Sequence, residues 1–203
     1  MPNWCYTSYK IDGDSKSLID LYNKIVYLKQ LDSPLVKNGF GNLWCGCLVA
    51  LLGGNWEEVD CRGEITYYSS TIDGTLMTCL DLLVTSAWSE LFEWRQFLLK
   101  NYPKLRIIFC AEESGCSIFE TNDANGEFFV DRYKTLHSTG NQNEETCYFS
   151  NLSDLSDYVY SITNIKTDTL AEVKDAIRRY NILNSFNPNG GNHCFFEEIK
   201  IVE

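Results

Sequence analysis

Apolar residues near the start of the chain recur first at strand spacing and then at helix spacing. The pattern over Asn3–Asp12 predicts a strand, which Asp12-Gly13-Asp14 ends. Ser15 or Ser17 is a candidate N-cap for the helix that follows. One face of that helix is expected to be buried. Its apolar residues are Leu18, Leu21, Tyr22, Ile25 and Val26.

A hairpin, a helix and a further strand follow. Glu64–Thr71 and Thr75–Val84 are strand-like, and Asp73-Gly74 between them is typical of a hairpin turn because both turn positions favour positive φ. The next helix has Ser86 or Ser89 as its candidate start. The residues on its predicted buried face are Trp88, Leu91, Phe92, Arg95 and Leu98, and those that alternate in the next strand are Leu105, Ile107 and Phe109.

An additional helix, Leu43–Leu52, lies between the first helix and the hairpin, with Asn42 as its candidate cap. It is apolar nearly all round, which predicts burial on several sides. The order of elements predicts an α+β fold with a ferredoxin-like βαββαβ antiparallel sheet, this inserted helix, and both core helices on one face. The prediction requires Asn3–Asp12 and Leu105–Ala111 to lie in the same sheet.

The rest of the chain predicts an extra hairpin and a C-terminal helical extension. Cys116–Thr121 and Glu127–Tyr133 would form the hairpin around Asn122–Gly126, and Ser138–Glu145 is polar enough to be a linker or mobile loop. The other expected elements are a strand at Cys147–Phe149, a helix from about Ser153, a helix carrying Leu170, Val173, Ile177 and Tyr180, a turn at Asn187–Gly191, and a strand at Cys194–Val202. We therefore expect a core with its hairpin extension over residues 1–135 and an α/β extension packed on it over residues 136–203.

Composition and charge narrow the function classes. The 203 residues are 44% hydrophobic and 22% charged, as in ordinary globular proteins, and the net charge is −11. Nucleic-acid binding is disfavoured because it depends on Lys and Arg that neutralise phosphates. The chain shows neither a signal-peptide pattern nor about 18 consecutive apolar residues, so we expect a cytoplasmic protein without a membrane partner. In that compartment most of the nine cysteines are expected to be reduced and to pack as small apolar residues.

An ordered set of short motifs resembles the YubB-like proteins of phages, plasmids and gut bacteria, a group known mainly for a ferredoxin-like domain of unknown function. The motifs span residues 1–133. They are Met1-Pro2-Asn3-Trp4-Cys5, Gly39-Phe40-Gly41-Asn42-Leu43-Trp44, Leu52-Gly53-Gly54-Asn55-Trp56, Cys61-Arg62-Gly63-Glu64, Thr85-Ser86-Ala87-Trp88, Tyr102-Pro103, Ala111-Glu112-Glu113, Glu120-Thr121-Asn122-Asp123 and Asp131-Arg132-Tyr133. Many relatives carry Gly-Met where this chain has Gly115-Cys116. The resemblance implies a fold and a mobile-element setting, but no reaction.

The residues do not form a recognised metal, calcium or catalytic motif. Cys45 and Cys47 would point to opposite sides of their helix, which disfavours a shared metal ion. The segment from Thr121 to Arg132 has an Asp-x-Asn-Gly turn, but it lacks the glutamate that a calcium loop needs at its twelfth position. A cysteine nucleophile would need His137 or His193 beside a thiol. We therefore expect no metal or cofactor, and we favour a protein that is not an enzyme.

Two features are candidate binding sites. Six acidic residues and no Lys or Arg lie between Glu112 and Asp131. They are Glu112, Glu113, Glu120, Asp123, Glu127 and Asp131. They form either a solvated hairpin edge or a docking face for a basic partner. Trp4, Trp44, Trp56 and Trp88 are expected to pack the core helices on the sheet, or alternatively to line a ligand groove.

Three hypotheses of function follow. The leading one is a non-catalytic interaction module of mobile-element origin, with a basic host protein as a possible partner. The first alternative is an acidic nucleic-acid mimic acting on a host DNA-binding protein, which needs carboxylates along one continuous ridge. The second is an enzyme or small-ligand binder using Trp88, Glu112 and Glu113, which needs a deep pocket that gathers them.

Overall fold

The computed structural model describes residues 3–139, 143–185 and 192–202. The chain forms two compact units, Met1–Ala124 with Ile201–Glu203, and Asn125–Lys200. The division lies between residues 124 and 125, earlier than the expected boundary at 135. Helices and strands are both abundant, so the fold is α+β as predicted. Within the described ranges, no helix is long and apolar enough to cross a membrane.

The elements of the first unit's sheet and its helices are β1 (Trp4–Gly13), α1 (Ser15–Gln30), α2 (Cys45–Leu51), β2 (Gly63–Asp73), β3 (Leu76–Ala87), α3 (Phe92–Asn101), β4 (Leu105–Glu113), β5 (Ile118–Thr121) and, counted in chain order after the second unit, β9 (Lys200–Ile201). The strand order in the sheet is β2-β3-β1-β4-β5-β9. Strand β1 pairs antiparallel with both β3 and β4, and Tyr9 lies opposite Leu82 and Phe109. The predicted pairing of the first strand with the fourth is confirmed.

One face of the sheet carries the core. Along β1, Cys5, Thr7, Tyr9 and Ile11 are buried, while the residues between them are exposed or half-buried. This alternation follows from the two-residue period of a strand. The helices α1, α2 and α3 contribute buried residues to the same apolar cluster as these strand positions. The other face of the central strands, which begins with Trp4 and Tyr6, has no helix packed on it in this cluster.

Helices α2 and α3 begin later than their candidate caps suggested, whereas α1 begins slightly earlier. Asp14, and neither serine, is the N-cap of α1, and it accepts hydrogen bonds from Ser17 N and Ser17 Oγ at 3.0 and 2.7 Å. Neither α2 nor α3 has a side-chain cap. Asn42 instead donates to the Leu31 carbonyl, and Ser86 donates to the Ser89 carbonyl. Those two side chains therefore brace the loops before the helices.

The predicted extra hairpin is wrong. Its first strand exists as β5, but β5 pairs antiparallel with β4, with Glu112 opposite Phe119. The segment before Tyr133 is not a strand, and Tyr133 begins a strand of a different sheet. The turn residues suggested a local hairpin, but β4 is a longer partner for β5 and lies only a short turn away in the chain.

The second unit contains more strand than expected. Its elements are β6 (Tyr133–Thr139), β7 (Asn143–Phe149), α4 (Leu152–Thr163), α5 (Leu170–Ser185) and β8 (His193–Glu198), and the strand order is β7-β6-β8. The linker predicted over Ser138–Glu145 is wrong because β6 and β7 extend into it. The predicted final strand is divided into β8 and β9. Residues 140–142 and the turn predicted at Asn187–Gly191 lie outside the described residues.

Candidate functional site

The neighbouring carboxylates Glu112 and Glu113 point to opposite faces of β4. Glu112 is half-buried and pairs across the strands with Tyr6 on the face without helices. Glu113 is buried on the other side. Because successive residues of a strand alternate between faces, these two groups do not form the acid–base pair considered from the sequence.

Glu113 holds the turn between β4 and β5. Its Oε1 accepts the Gly115 amide at 2.7 Å, and its Oε2 accepts the Cys116 amide. Burial alone would raise its pKa, but the hydrogen bonds that the Cys116 thiol, the two turn amides and Asn3 donate hold the pKa of Glu113 below its ordinary value. The same thiol contact raises the pKa of Cys116. Glu113 therefore stabilises the turn between β4 and β5.

The other acidic candidates are dispersed. Glu120 pairs with Ala111 and so faces the helix side of the sheet, opposite to Glu112. Asp123 is buried, with its amide bonded to the Thr121 hydroxyl at 3.0 Å. Glu127 is exposed and Asp131 half-buried, and both belong to the second unit. The four acidic candidates of the first unit therefore do not lie along one continuous ridge.

The four tryptophans singled out from the sequence have different environments. Trp44 is buried and packs edge to face with half-buried Trp56 at 5.3 Å between ring centroids. Trp4 and Trp88 are 38% and 49% exposed. The fully buried tryptophan is Trp94, which contacts Tyr9 and which we had not singled out. The expectation that Trp4 and Trp88 fill the core is therefore wrong.

Trp4 lines a groove on the sheet face without helices. This aromatic groove is lined by Trp4, Tyr6, Gly39, Phe40, Glu64, Thr66 and Thr85, and its volume is about 450 Å³. The Trp4 and Phe40 rings meet edge to face, with their centroids 6.3 Å apart. Tyr6 is 55% exposed. Exposed aromatic rings on one face are the usual composition of a recognition surface.

Asn38 positions the loop that brings Phe40 to the groove. Its Oδ1 accepts the amides of Phe40 and Gly41 at 2.6 and 2.8 Å. Its Nδ2 donates to the carbonyls of Val36 and Gly41 at 2.7 and 3.1 Å. Gly41 has φ +115°, a conformation that favours glycine. Four of the motifs that carry the family resemblance meet here, since they contain Trp4, Phe40, Glu64 and Thr85.

Glu64 supplies the charge of the groove. The amide of the next residue, Ile65, donates to the Leu43 carbonyl at 2.9 Å, which fixes this strand against the loop. Burial raises the pKa of Glu64, and no neighbouring charge contributes to that shift. Among the described residues, no hydrogen-bond donor or cation contacts its side chain. A half-buried carboxylate without such a contact can pair with a cation from outside the chain.

The most buried ionic group lies under α3 and has a structural role. Glu90 Oε1 accepts from the Tyr9 hydroxyl at 2.9 Å and from Arg95 Nε at 3.0 Å. The Arg95 guanidinium also lies 4.8 Å from the centre of the Phe109 ring. Desolvation raises the pKa of Glu90, although Arg95 opposes the change. Both charged side chains are buried and hydrogen-bonded to each other, which is the arrangement of a structural ion pair.

His137 and Cys194 are neighbours but do not form an activated pair. His137 lies opposite Cys194 in the β6–β8 register, a juxtaposition the sequence could not reveal. However, His137 Nε2 bonds to the Tyr180 hydroxyl at 3.0 Å, and burial raises the pKa of Cys194 to about 11. A nucleophilic cysteine needs the opposite shift. In the described part of the chain, no cluster of His, Cys, Asp and Glu could hold a metal ion.

Two other grooves lie elsewhere in the described part of the chain. One lies beside the Trp44–Trp56 pair and has Glu57, Glu58, Asp60 and Glu93 on its rim. The other, in the second unit, lies between α5 and β8. None of these three grooves is lined by Trp88, Glu112 or Glu113.

Comparison with known proteins gives no assignment: the chain matches no protein-family model, no curated protein and no solved structure.

Proposed function

We propose that this protein is a cytoplasmic, non-catalytic interaction module whose first unit has a ferredoxin-like core. The core would comprise β1, α1, β2, β3, α3 and β4. Their order along the chain and the antiparallel strand order β2-β3-β1-β4 support this description. The resemblance of the motifs to YubB-like proteins supports a mobile-element origin and a host protein as the partner.

The state of the titratable groups favours binding over catalysis. Glu90 and Glu113 are both buried, and each is occupied by several hydrogen bonds within the chain. The Cys194 thiol has a raised pKa. Catalysis would require an acid, base or nucleophile that is free to reach a substrate. These groups act as supports of the fold.

The observation that carries the proposal is the aromatic groove. Trp4 and Tyr6 are large side chains of the kind that a core normally buries. Both are substantially exposed, although β1, the strand that carries them, is otherwise well packed. Tyrosine and tryptophan are the residues most enriched at the energetic centres of interfaces. We infer that this face is the docking surface. Because the chain is acidic, with a net charge of −11, we expect its partner to be basic.

The proposal is tested by capture from the native host with matched variants. Wild-type protein, Trp4→Ala/Tyr6→Ala and Tyr27→Ala are each immobilised, and retained proteins are quantified by mass spectrometry. Tyr27 is 50% exposed on α1, so its variant removes an exposed aromatic ring from the opposite side of the sheet. We expect a basic protein that wild type and Tyr27→Ala retain and the double variant loses. Equal capture by all three proteins would contradict the proposal.

A further inference from the structure

We propose that the aromatic groove recognises the guanidinium group of an arginine side chain on the partner protein, with Glu64 as its counter-charge. This inference rests on the proposed function and specifies the chemistry of the same surface. It follows from the alignment of side chains across three strands, from the electrostatic state of Glu64, and from the shape of the groove.

Strand register places the charge and the rings on one face. Thr85 of β3 lies opposite Glu64 on one side and opposite Tyr6 on the other. Residues directly opposite each other in antiparallel strands share a face, so the three side chains form a row. With strands about 4.8 Å apart, the Glu64 and Tyr6 backbones are about 10 Å apart. That separation leaves room for a planar group between the carboxylate and the ring.

In the part of the chain that the structure describes, no cation compensates the charge of Glu64. Of the other charged residues on this face of the central strands, Lys10 pairs with Asp81 at 2.8 Å and Arg106 pairs with Asp12 at 2.5 Å, while Glu112 lies opposite Tyr6 on the far side of the row. Glu64 has no such partner among the described residues, and burial raises its pKa. A bound cation would stabilise the ionised form of Glu64 and offset the cost of burying its charge.

The rings select a cation over an equally shaped neutral group. The faces of Trp, Tyr and Phe attract cations through the ring quadrupole, and Trp does so most strongly. Trp4 and Phe40 stand at 90° to each other, so together they offer a face and an edge to a guest. A guanidinium can stack on the face while its N–H groups reach the carboxylate.

The openness of the groove favours arginine over lysine. Because Trp4 and Tyr6 remain substantially exposed, the groove cannot strip a strongly hydrated ammonium group of its water. Guanidinium is more weakly hydrated and carries five donors in a rigid plane. Further acceptors are at hand, since the Thr66 hydroxyl donates to the Leu83 carbonyl at 3.2 Å and keeps its lone pairs available. The groove volume of about 450 Å³ is within the range of ligand sites.

The test uses three tripeptides with blocked ends, Gly-Arg-Gly, Gly-Lys-Gly and Gly-citrulline-Gly, titrated into the full chain labelled with nitrogen-15. Citrulline matches arginine in shape but is neutral. We expect the arginine peptide to shift the backbone amide signals of Tyr6, Glu64 and Thr85. Loss of the ligand's charge should weaken binding about tenfold or more, and the lysine peptide should bind about fivefold more weakly than arginine.

Variants assign the contribution of each group. Glu64→Gln should weaken arginine binding about tenfold, and Trp4→Ala about five- to thirtyfold. Glu64→Asp keeps the charge and should bind between wild type and Glu64→Gln, whereas Tyr27→Ala should bind as wild type does. The dispersion of the amide spectrum establishes that each variant is folded.

The inference is overturned if the citrulline peptide binds as tightly as the arginine peptide, if the lysine peptide does so, or if Glu64→Gln retains wild-type affinity. It is also overturned if no tripeptide binds while host-protein capture still depends on Trp4 and Tyr6, a result that leaves the interaction module standing. If the arginine peptide binds but capture of the host protein does not depend on Trp4 and Tyr6, the guanidinium site is supported and the proposed docking role is refuted.

Discussion

Glu64 and Tyr6 lie on one face of the sheet, two strands apart, with Thr85 in register between them. The Glu64 carboxylate has no ion-pair partner within residues 3–139, 143–185 and 192–202, and the Tyr6 ring is exposed, which is unusual for neighbouring groups on a well-packed sheet. The relationship arises from the strand order β2-β3-β1, in which β3, the second strand of the hairpin, lies between β1 and β2, two strands that are distant in sequence. It links the fold of the first unit to its proposed binding role.

The loop that presents Phe40 should depend on Asn38. Asn38→Ala removes acceptors and donors for four backbone groups, and unsatisfied buried polar groups typically cost about 1–3 kcal/mol. We expect this loss in the free energy of unfolding by urea, together with weaker arginine binding. All five tryptophans lie in the first unit, so their fluorescence follows the unfolding of that unit. Asn38→Asp keeps the Oδ1 acceptor, so its free energy of unfolding should lie between those of wild type and Asn38→Ala. Wild-type stability in Asn38→Ala would be inconsistent with a role of Asn38 in holding the loop.

The buried Glu90–Arg95 pair should be sensitive to removal of either partner. Arg95→Met leaves the Glu90 carboxylate without its cation, and breaking a buried pair in this way costs about 3–5 kcal/mol. Tyr9→Phe removes one neutral donor and should cost only about 1 kcal/mol. The double variant Glu90→Gln/Arg95→Met should regain part of the loss. Urea unfolding followed by tryptophan fluorescence measures all three, and a double variant less stable than Arg95→Met would refute the coupling.

The two glutamates Glu64 and Glu113 should affect stability in opposite directions with pH. The folded pKa of Glu113 lies below its ordinary value of 4.5, so its contribution is present above that pH and is lost as the pH falls through the folded pKa. The folded pKa of Glu64 lies above 4.5, so the native state binds the extra proton and stability falls as the pH rises from 4.5 through the folded pKa.

The opposite directions of the two pKa shifts predict different stabilities for Glu64→Gln and Glu113→Gln. Glu64→Gln should be at least as stable as wild type at pH 7 although it binds arginine more weakly. Glu113→Gln should be less stable than wild type at pH 7, and the difference should shrink in acid. Unfolding free energies at pH 3, 4, 5 and 7 test both. A destabilised Glu64→Gln at pH 7 would show that the Glu64 carboxylate already has a stabilising partner.

Cys116 should be the most readily alkylated thiol at neutral pH. Of the nine free cysteines it is the exposed one, while Cys5, Cys45 and Cys47 are among those that are buried. The hydrogen bond to Glu113 raises its pKa and so limits the thiolate fraction. Glu113→Gln should therefore speed its reaction. Timed maleimide labelling with peptide mapping measures the rates, and labelling of Cys45 as fast as Cys116 would contradict the burial pattern.

Local pattern was sufficient for most elements of the first unit. The periodicity from Leu18 to Val26 predicted α1, and Asp73-Gly74 predicted the β2–β3 hairpin, where Gly74 has φ +61°. The near-continuous apolar stretch around Cys45 predicted a helix buried on several sides, as found. These features are encoded by neighbours in the chain, so one sequence is enough to find them.

The partners of strands were decided by tertiary structure. Asn125-Gly126 is a good turn sequence, but Ile118–Thr121 pairs back onto β4, and Tyr133 begins another sheet. Turn chemistry lowers the cost of a local hairpin without excluding a better partner, because a strand edge can pair with any exposed edge of suitable register. The predicted acidic hairpin failed for this reason, and its carboxylates became dispersed.

The sequence by itself determined that the chain is acidic, α+β and begins with a strand–helix–hairpin–helix–strand core. Tertiary structure alone decided which tryptophans are exposed and which carboxylate faces the aromatic groove. Trp4 and Trp94 are the same residue type in similarly apolar segments, yet one lines a groove and the other is fully buried. Exposure and ion pairing depend on contacts between residues far apart in the chain. The Glu64–Thr85–Tyr6 row exists only once three strands are in register.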